Sequence, residues 1–135
     1  MAVIFPDIEK TLVAYLKAAL VANGSVTAQN VRVATKKAQP DEAQPAKEVV
    51  VTAAYNAERD YVLKTASVTL EVYANDYGTA NSLSLLVEAL IRGCTGDEIK
   101  RAEVRLGPVR VSEDGTQEKR YLDIGLSVKG TDLNA

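Results

Sequence analysis

The 135-residue sequence contains no histidine, no tryptophan and a single cysteine. Without histidine, the chain lacks the most frequent general base and the most frequent metal ligand of proteins. The lone Cys94 cannot form an internal disulfide, so the chain is compatible with a reducing cytosol. These absences disfavour histidine-dependent enzymes, histidine-ligated metal centres and disulfide-stabilised secreted domains.

Long hydrophobic runs and phosphate-binding motifs are also missing. No segment approaches the ~20 consecutive apolar residues that a membrane span requires. The opening residues MAVIFPDIEKT contain neither a basic region nor a long apolar core, so the sequence predicts no signal peptide. Neither GxxxxGKS/T nor GxGxxG occurs, which leaves no glycine-rich cradle for a nucleotide.

Charges of both signs are interspersed, with 16 Lys and Arg residues, 18 Asp and Glu residues and a net charge of -2. This balance does not produce the basic surface expected of a nucleic-acid-binding protein. A hydrophobic fraction of 47% is ordinary for a globular protein. The sequence shows no internal repeat and no break in composition. One domain over residues 1–135 is therefore expected.

Residues 61 to 93 predict a strand followed by a helix, and the rest of the chain is expected to pack around them. In the run YVLKTASVTLEVYA, apolar residues alternate with polar ones, so Val62, Val68, Leu70 and Val72 would share one buried side. The period then changes to three and four, which indicates one face of a helix: Ala80, Leu83, Leu86, Val87, Leu90 and Ile91. Gly93 stands where a left-handed cap would end that helix.

The other elements are predicted from the same two periods. Residues 7 to 22 form an amphipathic helix that ends at Asn23-Gly24. A short strand follows around residues 31 to 33, and consecutive valines predict a strand from about 48 to 55 that is buried on both faces. EVRLGPVRV is a strand interrupted by Gly107-Pro108, which indicates a sheet edge or a bulge. The last strand, from about 120 to 129, alternates cleanly.

The order helix, three strands, helix, two strands predicts an α+β fold. The expected architecture is a mostly antiparallel or mixed sheet of about five strands with both helices packed on one face. Residues 38 to 48, AQPDEAQPAKE, are of low complexity and lack large apolar side chains. We expect them to form a long mobile loop between two strands, because they have nothing to bury.

The residues that could carry chemistry lack the partners that chemistry needs. Cys94 has no histidine to activate it, so a packing thiol is the preferred interpretation. The acidic pairs at 41–42, 97–98 and 113–114 lack the staggered ligands of a calcium loop. Lys36 and Lys37 could contact phosphate, but a solvated strand end is preferred. The sequence therefore predicts no catalytic residue, no metal site and no cofactor.

The strand faces opposite the helices are predicted to be polar. They carry small hydroxyl and charged side chains with aromatic residues near the ends: Thr65, Ser67, Thr69, Glu71, Tyr73, Tyr121, Asp123, Ser127 and Lys129. A solvated sheet face fits this pattern. A subunit contact fits it too, since tyrosines are enriched where one protein meets another.

Three segments resemble the tail terminator proteins of long-tailed, siphovirus-type bacteriophages, the group that includes the lambda tail terminator. FPDIEKTLVAYLKAAL resembles their first helix, and TASVTLEVYANDYGTANSLSLLVEALIRG resembles their central strand and helix. RYLDIGLSVKGTDL resembles their last strand, which tends to end in a similar Val-Lys-Gly or Val-Arg-Gly step. These segments cover nearly half of the chain, and the order of elements is similar throughout.

The resemblance implies a non-enzymatic assembly protein of the virion, located at the neck of the tail and assembled in the host cytoplasm. Such proteins form a homohexameric ring on the head-proximal end of the tail tube and stop its polymerisation. The implied partners are the major tail tube protein on one face and a head-completion or connector protein on the other. DNA would pass through the ring without sequence-specific binding, and no membrane is involved.

Under this resemblance, three loops are the expected contact sites: 38–48, 56–60 and 112–118. The candidate contact residues are Lys36, Lys37, Pro40, Asp41, Glu42, Pro45, Glu58, Arg59, Asp60, Glu113, Asp114 and Lys119. Two alternatives stay open from the sequence. One is a head-completion or neck connector protein of similar size, and the other is a small cytosolic α+β binding domain or enzyme.

Overall fold

The computed structural model describes residues 2–56, 63–111 and 117–132. The described residues form two helices and seven strands. In chain order these are β1 (Val3–Ile4), α1 (Ile8–Asn23), β2 (Arg32–Ala34), β3 (Lys47–Tyr55), β4 (Leu63–Ala74), α2 (Tyr77–Arg92), β5 (Ile99–Val111), β6 (Glu118–Lys129) and β7 (Thr131–Asp132).

Five of the strands form one mixed sheet in the order β2-β3-β4-β6-β5. Strand β2 pairs in parallel with β3, and every other pair in this sheet is antiparallel. The predicted α+β class and the order of elements around this sheet are confirmed. The sequence did not predict β1 and β7, which pair with each other as a separate two-stranded ribbon.

Helix α1 begins and ends as its sequence predicts. The Asp7 carboxylate accepts the backbone N–H of Lys10 at 3.2 Å, which satisfies one of the unpaired donors of the first turn. Gly24 ends the helix in the left-handed conformation with φ 66°, where a side chain would be strained. The buried stripe consists of Ile8, Leu12, Leu16 and Leu20.

Helix α2 ends differently from the prediction. Asp76 caps its start by accepting the N–H of Thr79 at 2.8 Å. At its end, Gly93 has φ -97° and is not left-handed, so the predicted left-handed cap is wrong. The physical reason is that the chain continues to turn in the right-handed sense. The Gly93 N–H donates to Leu90 and the Cys94 N–H donates to Ile91, each at 3.1 Å.

Both helices cover the same face of the five-stranded sheet and share one core with it. Val68, Leu70 and Val72 of β4 are fully buried there, as the alternation predicts. Val62 lies outside the described residues. In β6, Leu122, Ile124, Leu126 and Val128 point into the same core. In β3, the consecutive valines at 49, 50 and 51 are all buried, which confirms burial on both faces for the first half of the strand. In its second half, Thr52 and Ala54 are exposed, so only one face is buried there.

The buried face of α2 is narrower than predicted. Leu83, Val87 and Ile91 are fully buried, whereas Leu86 and Leu90 are half-buried at the border of the core. Leu90 lies where α2 meets α1, and its carbonyl accepts a hydrogen bond from the Tyr15 hydroxyl of α1 at 2.5 Å. The three- and four-residue spacing therefore identifies the helix correctly, but it wrongly assigns Leu86 and Leu90 to the fully buried stripe.

Strand β5 is an edge strand with an irregular register at Pro108, which confirms the sequence prediction. Its register with β6 shifts between Ile99 and Arg101, between Val104 and Leu106, and between Leu106 and Val109, the last of which spans Pro108. At the other side of the sheet β2 is only three residues long, and the Glu9 carboxylate accepts the N–H of Ala53 at 2.9 Å. Bulges, a proline and a capping carboxylate are devices that keep sheet edges from adding further strands.

The β1–β7 ribbon depends on Gly130, which follows β6. A Cβ atom at Gly130 would lie 2.3 Å from Val3 Cγ1 and 3.1 Å from the Phe5 ring. The glycine of the Val-Lys-Gly step therefore makes room for the N-terminal segment to pack against the end of the chain.

We expect Leu83→Ala to destabilise the fold by about 2–5 kcal/mol, because it leaves a cavity in a fully buried position. Leu86→Ala should cost about 1 kcal/mol, since solvent and neighbouring side chains can fill the vacated space. Urea unfolding followed by circular dichroism measures both values. Equal losses for the two variants would contradict the assignment of the buried face.

Candidate interaction surfaces

The described residues offer no grouping of catalytic or metal-binding side chains. Among residues 2–56, 63–111 and 117–132, no three His, Cys, Asp or Glu residues are close enough to hold a metal ion. Cys94 is 8% exposed, and burial raises the pKa of its thiol, which disfavours the reactive thiolate. No helix in the described part of the chain is long and apolar enough to span a membrane.

The two ends of the sheet carry different connections. The start of β3, the end of β4, the start of β6 and the end of β5 meet at one end, which we call the loop end. It holds segment 35–46, between β2 and β3, and Gln117 just before β6. The opposite end, called the terminal end, holds the end of β3, the start of β4 and the β1–β7 ribbon.

Of the three predicted contact loops, only 38–48 lies wholly within the described residues, and it belongs to the loop end. Residues 57–60 and 112–116 of the other two loops lie outside the described residues. Five of the candidate contact residues lie outside the described residues: Glu58, Arg59, Asp60, Glu113 and Asp114. The others are found in or beside segment 35–46.

Glu48 fixes the first part of segment 35–46 to the sheet. Its side chain is fully buried on the sheet face that the helices leave uncovered. One carboxylate oxygen accepts the Ala38 N–H at 3.0 Å and pairs with the Arg32 guanidinium of β2. The other lies 3.4 Å from the Lys37 Nζ atom. These donors compensate for the desolvation of the carboxylate, so the loop stays closed over it.

Tyr73 is the second fixed point beneath this segment. The Lys37 Nζ atom lies 4.5 Å and the Lys119 Nζ atom 5.6 Å from the centre of its ring. The Tyr73 hydroxyl donates to Glu71 at 2.7 Å, and Lys119 pairs with the same carboxylate at 3.0 Å. Two cations lie beside the aromatic ring, and one carboxylate, Glu71, accepts a hydrogen bond from its hydroxyl.

The pKa values around Tyr73 follow from these contacts. Partial burial, followed by the hydrogen bond to Glu71, raises the pKa of Tyr73 to about 12. For Glu71, burial acts to raise the pKa, but the hydrogen bonds from Tyr73 and Lys119 outweigh it and leave the pKa lowered. Glu71 therefore stays charged, which keeps Lys119 in place.

A glutamine closes the loop from the side of β6. The Gln117 side-chain amide donates to the Pro45 carbonyl at 2.9 Å and to the Asn75 side chain at 3.0 Å. Its Oε1 atom lies 3.3 Å from the Lys37 Nζ atom. Segment 35–46 is thereby joined to the end of β4 and to the start of β6.

The middle of the segment, residues 39–44, is exposed throughout, and we call it the arch. It contains the candidate contact residues Pro40, Asp41 and Glu42. The Glu42 N–H donates to the Gln39 carbonyl at 2.9 Å, and the Gln44 side chain donates to the same carbonyl at 2.7 Å. The arch is thus a compact turn, and Lys37, Pro45 and Lys119 belong to its base.

Lys36 is exposed at the start of the segment, and its backbone carbonyl accepts a hydrogen bond from Arg32 at 2.8 Å. The structure places its neighbour Lys37 very differently, with the ammonium turned inward. From the sequence, both lysines were predicted to be solvated at a strand end, because no local feature distinguishes them.

The uncovered face of the sheet is polar, as predicted, and one arginine crosses it. Arg105 extends from β5 over Gly125 of β6 and approaches the Ser67 hydroxyl of β4 at 3.4 Å. A Cβ atom at Gly125 would lie 2.6 Å from the arginine Nε atom, so glycine is needed for this path. Whether this face serves as a subunit contact stays a prediction.

A buried arginine connects α2 to β6, and no local pattern in the sequence predicted it. Arg120 is 2% exposed, and its Nε atom donates to the Asn81 side chain at 3.0 Å. Its guanidinium lies 5.0 Å from the centre of the Tyr77 ring, and Arg110 lies 5.1 Å from the same ring. The alternation of the strand could have indicated its burial, because Arg120 lies two residues before the buried Leu122 and therefore faces the same side.

No protein-family model matches this chain, and no curated protein matches it in sequence. Solved structures match it in fold. One is a chain of the structure described as "Virion of native gene transfer agent (GTA) particle", with a TM-score of 0.63 and 13% sequence identity. The match covers 92% of this chain and 98% of that chain. At this identity, the likeness shows a shared fold.

We expect Glu48→Gln to destabilise the protein by about 1–3 kcal/mol, because the buried amide can no longer balance its cationic neighbours. Glu71→Gln is the matched control on the same sheet face, where the side chain is 28% exposed. This control should lower the free energy of unfolding by less than about 1 kcal/mol. Urea unfolding of both variants checks the ranking, and a reversed order would show that Glu48 does not secure the segment.

Proposed function

We propose that this protein is a structural component of a phage-like particle and that it acts as a tail terminator. The observation that carries the proposal is the fold shared with a chain of a gene transfer agent virion, over nearly the full length of both chains. The three segments that resemble tail terminators lie in α1, in β4 with α2, and in β6 with β7. A structural role, rather than a catalytic one, is part of this proposal.

A terminator needs two different faces along the tube axis. Stacked rings polymerise through heterologous contacts, and growth stops when the last ring offers one face that fits the tube and one that does not. In this domain the loop end presents the polar arch. The terminal end presents exposed apolar side chains, Ile4 and Leu63. The two ends therefore offer different chemistry to two different partners.

The assembled state is proposed to be a homohexameric ring, with tail tube protein on one face and a head-completion or connector protein on the other. In this state the connections at 38–48, 56–60 and 112–118 supply the contacts, and DNA passes through the ring. A contact of this kind needs about 800 Å² per partner, more than one loop supplies. We also propose that, within the 38–48 loop, mobility in the free chain is confined to residues 39–44, since residues 38 and 45 are hydrogen-bonded to the rest of the domain.

The proposal is tested by adding the purified protein to polymerising tail tube protein from the same particle. We expect tubes that stop growing and carry a ring at one end in electron micrographs. Native mass spectrometry should detect a complex of about six times the 14.5 kDa of one chain. Reactions without the protein serve as the control and should yield longer tubes without end rings.

Two results would contradict the proposal in different ways. Binding to heads with no effect on tube length would instead support the head-completion or connector function. A protein that stays monomeric with tube protein present and binds neither tubes nor heads would exclude both assembly functions.

A further inference from the structure

Strand β5 carries an excess of positive charge on an exposed sheet edge. It contains four cationic side chains, at Lys100, Arg101, Arg105 and Arg110, against the single carboxylate of Glu103. All five are exposed, although the chain as a whole has a net charge of -2. Arg110 pairs with Glu118 at 3.0 Å, whereas Lys100 and Arg101 form no ion pair with the described part of the chain.

The arch carries the opposite charge. Asp41 and Glu42 are its only charged residues, both are exposed, and neither pairs with a cation among the described residues. Lys37, at the base of the arch, is the lysine nearest to them in sequence. Its ammonium is instead held by Glu48 and by the Tyr73 ring. The arch therefore presents a negative tip.

Both surfaces are anchored to the sheet before any partner binds, and only residues 39–44 between the anchors of the arch are expected to move. The arch is fixed at Ala38 and Pro45 and by the turn hydrogen bonds to Gln39. Strand β5 is held along β6, and its bulges and Pro108 disfavour pairing with another strand. A contact through side chains would thus require ordering of the six arch residues alone, which limits the entropic cost of binding.

One copy of the chain carries both surfaces, which is what a head-to-tail ring requires. The arch follows β2, and β2 and β5 form opposite edges of the sheet. In a ring built from heterologous contacts, one surface of each copy meets a different surface of the next. Opposite charges on those two surfaces attract the correct neighbour and repel wrong pairings.

We propose that the acidic arch of one copy docks against the basic β5 strand of the neighbouring copy. This inference rests on the proposed ring and names the surfaces that join its subunits. The occupant of the β5 edge is then a second copy of this chain. The contact is electrostatic and partly exposed, so ring assembly weakens as salt screens it.

The test reverses the charge of each surface separately. Asp41→Lys/Glu42→Lys makes the arch basic, and Arg101→Glu/Arg105→Glu makes β5 acidic. Each variant alone places like charges at every contact, so assembly should weaken about tenfold or more. Lys10→Glu/Lys17→Glu, on the exposed surface of α1, is the matched control and should assemble as the wild type does.

Mixing the two variants in equal amounts provides the decisive step. In a ring where they alternate, every basic arch meets an acidic β5, and every wild-type arch meets a wild-type β5. Rings should therefore reappear in the mixture, with both variants present in equal numbers by native mass spectrometry. Circular dichroism confirms folding, and Lys100→Glu/Arg101→Glu replaces the β5 variant if that variant does not fold.

The outcomes separate this inference from the proposed function. Wild-type rings with no loss in either variant, or with no recovery in the mixture, would overturn the arch–β5 contact and leave the terminator proposal standing. Binding of duplex DNA by the wild type, abolished in the β5 variant while rings persist, would assign β5 to nucleic acid instead. A wild type that forms no ring with tube protein would overturn both.

Discussion

The fully buried carboxylate of Glu48 is the interaction on which the shape of the loop end depends. A buried charge without partners is strongly unfavourable, so the surrounding chain must supply them. Arg32 comes from β2, while the Ala38 N–H and the Lys37 ammonium come from the following segment. One side chain of β3 thereby holds a short edge strand and a long connection in place without any large apolar side chain in that connection.

This arrangement also determines which charges remain available at the surface. Lys37 is occupied by Glu48 and Tyr73, and Lys119 lies beside Glu71. The exposed arch consequently keeps two acidic residues and no basic one. On β5, by contrast, the cations lie on a bulged edge where the sheet provides few carboxylates to pair with them. The negative charge of the arch thus remains unbalanced because the neighbouring lysines pair with carboxylates at its base.

Local periodicity predicted most of the fold, because burial on one face repeats every two residues in a strand and every three or four in a helix. The valines of β3, the alternation of β6 and the interruption at Pro108 all gave the correct element. Glu48 and Arg120 were missed, because each is buried by partners that lie far away in sequence. The cap at Gly93 was wrong for a related reason, since glycine permits a left-handed residue but does not require one.

The sequence identified the segment around residues 38 to 48 as a candidate contact site, but it could not divide that segment into a fixed base and an exposed arch. The composition of residues 38 to 48 predicted a mobile loop, and the hydrogen bonds at Ala38 and Pro45 narrow that prediction to residues 39–44. Hydrogen exchange in the free chain tests this most directly. The Ala38 amide should exchange slowly in the wild type and rapidly in Glu48→Gln, whereas the Asp41 and Ala43 amides exchange rapidly in both. An Ala38 amide that exchanges as fast as that of Asp41 in the wild type would contradict the role of Glu48.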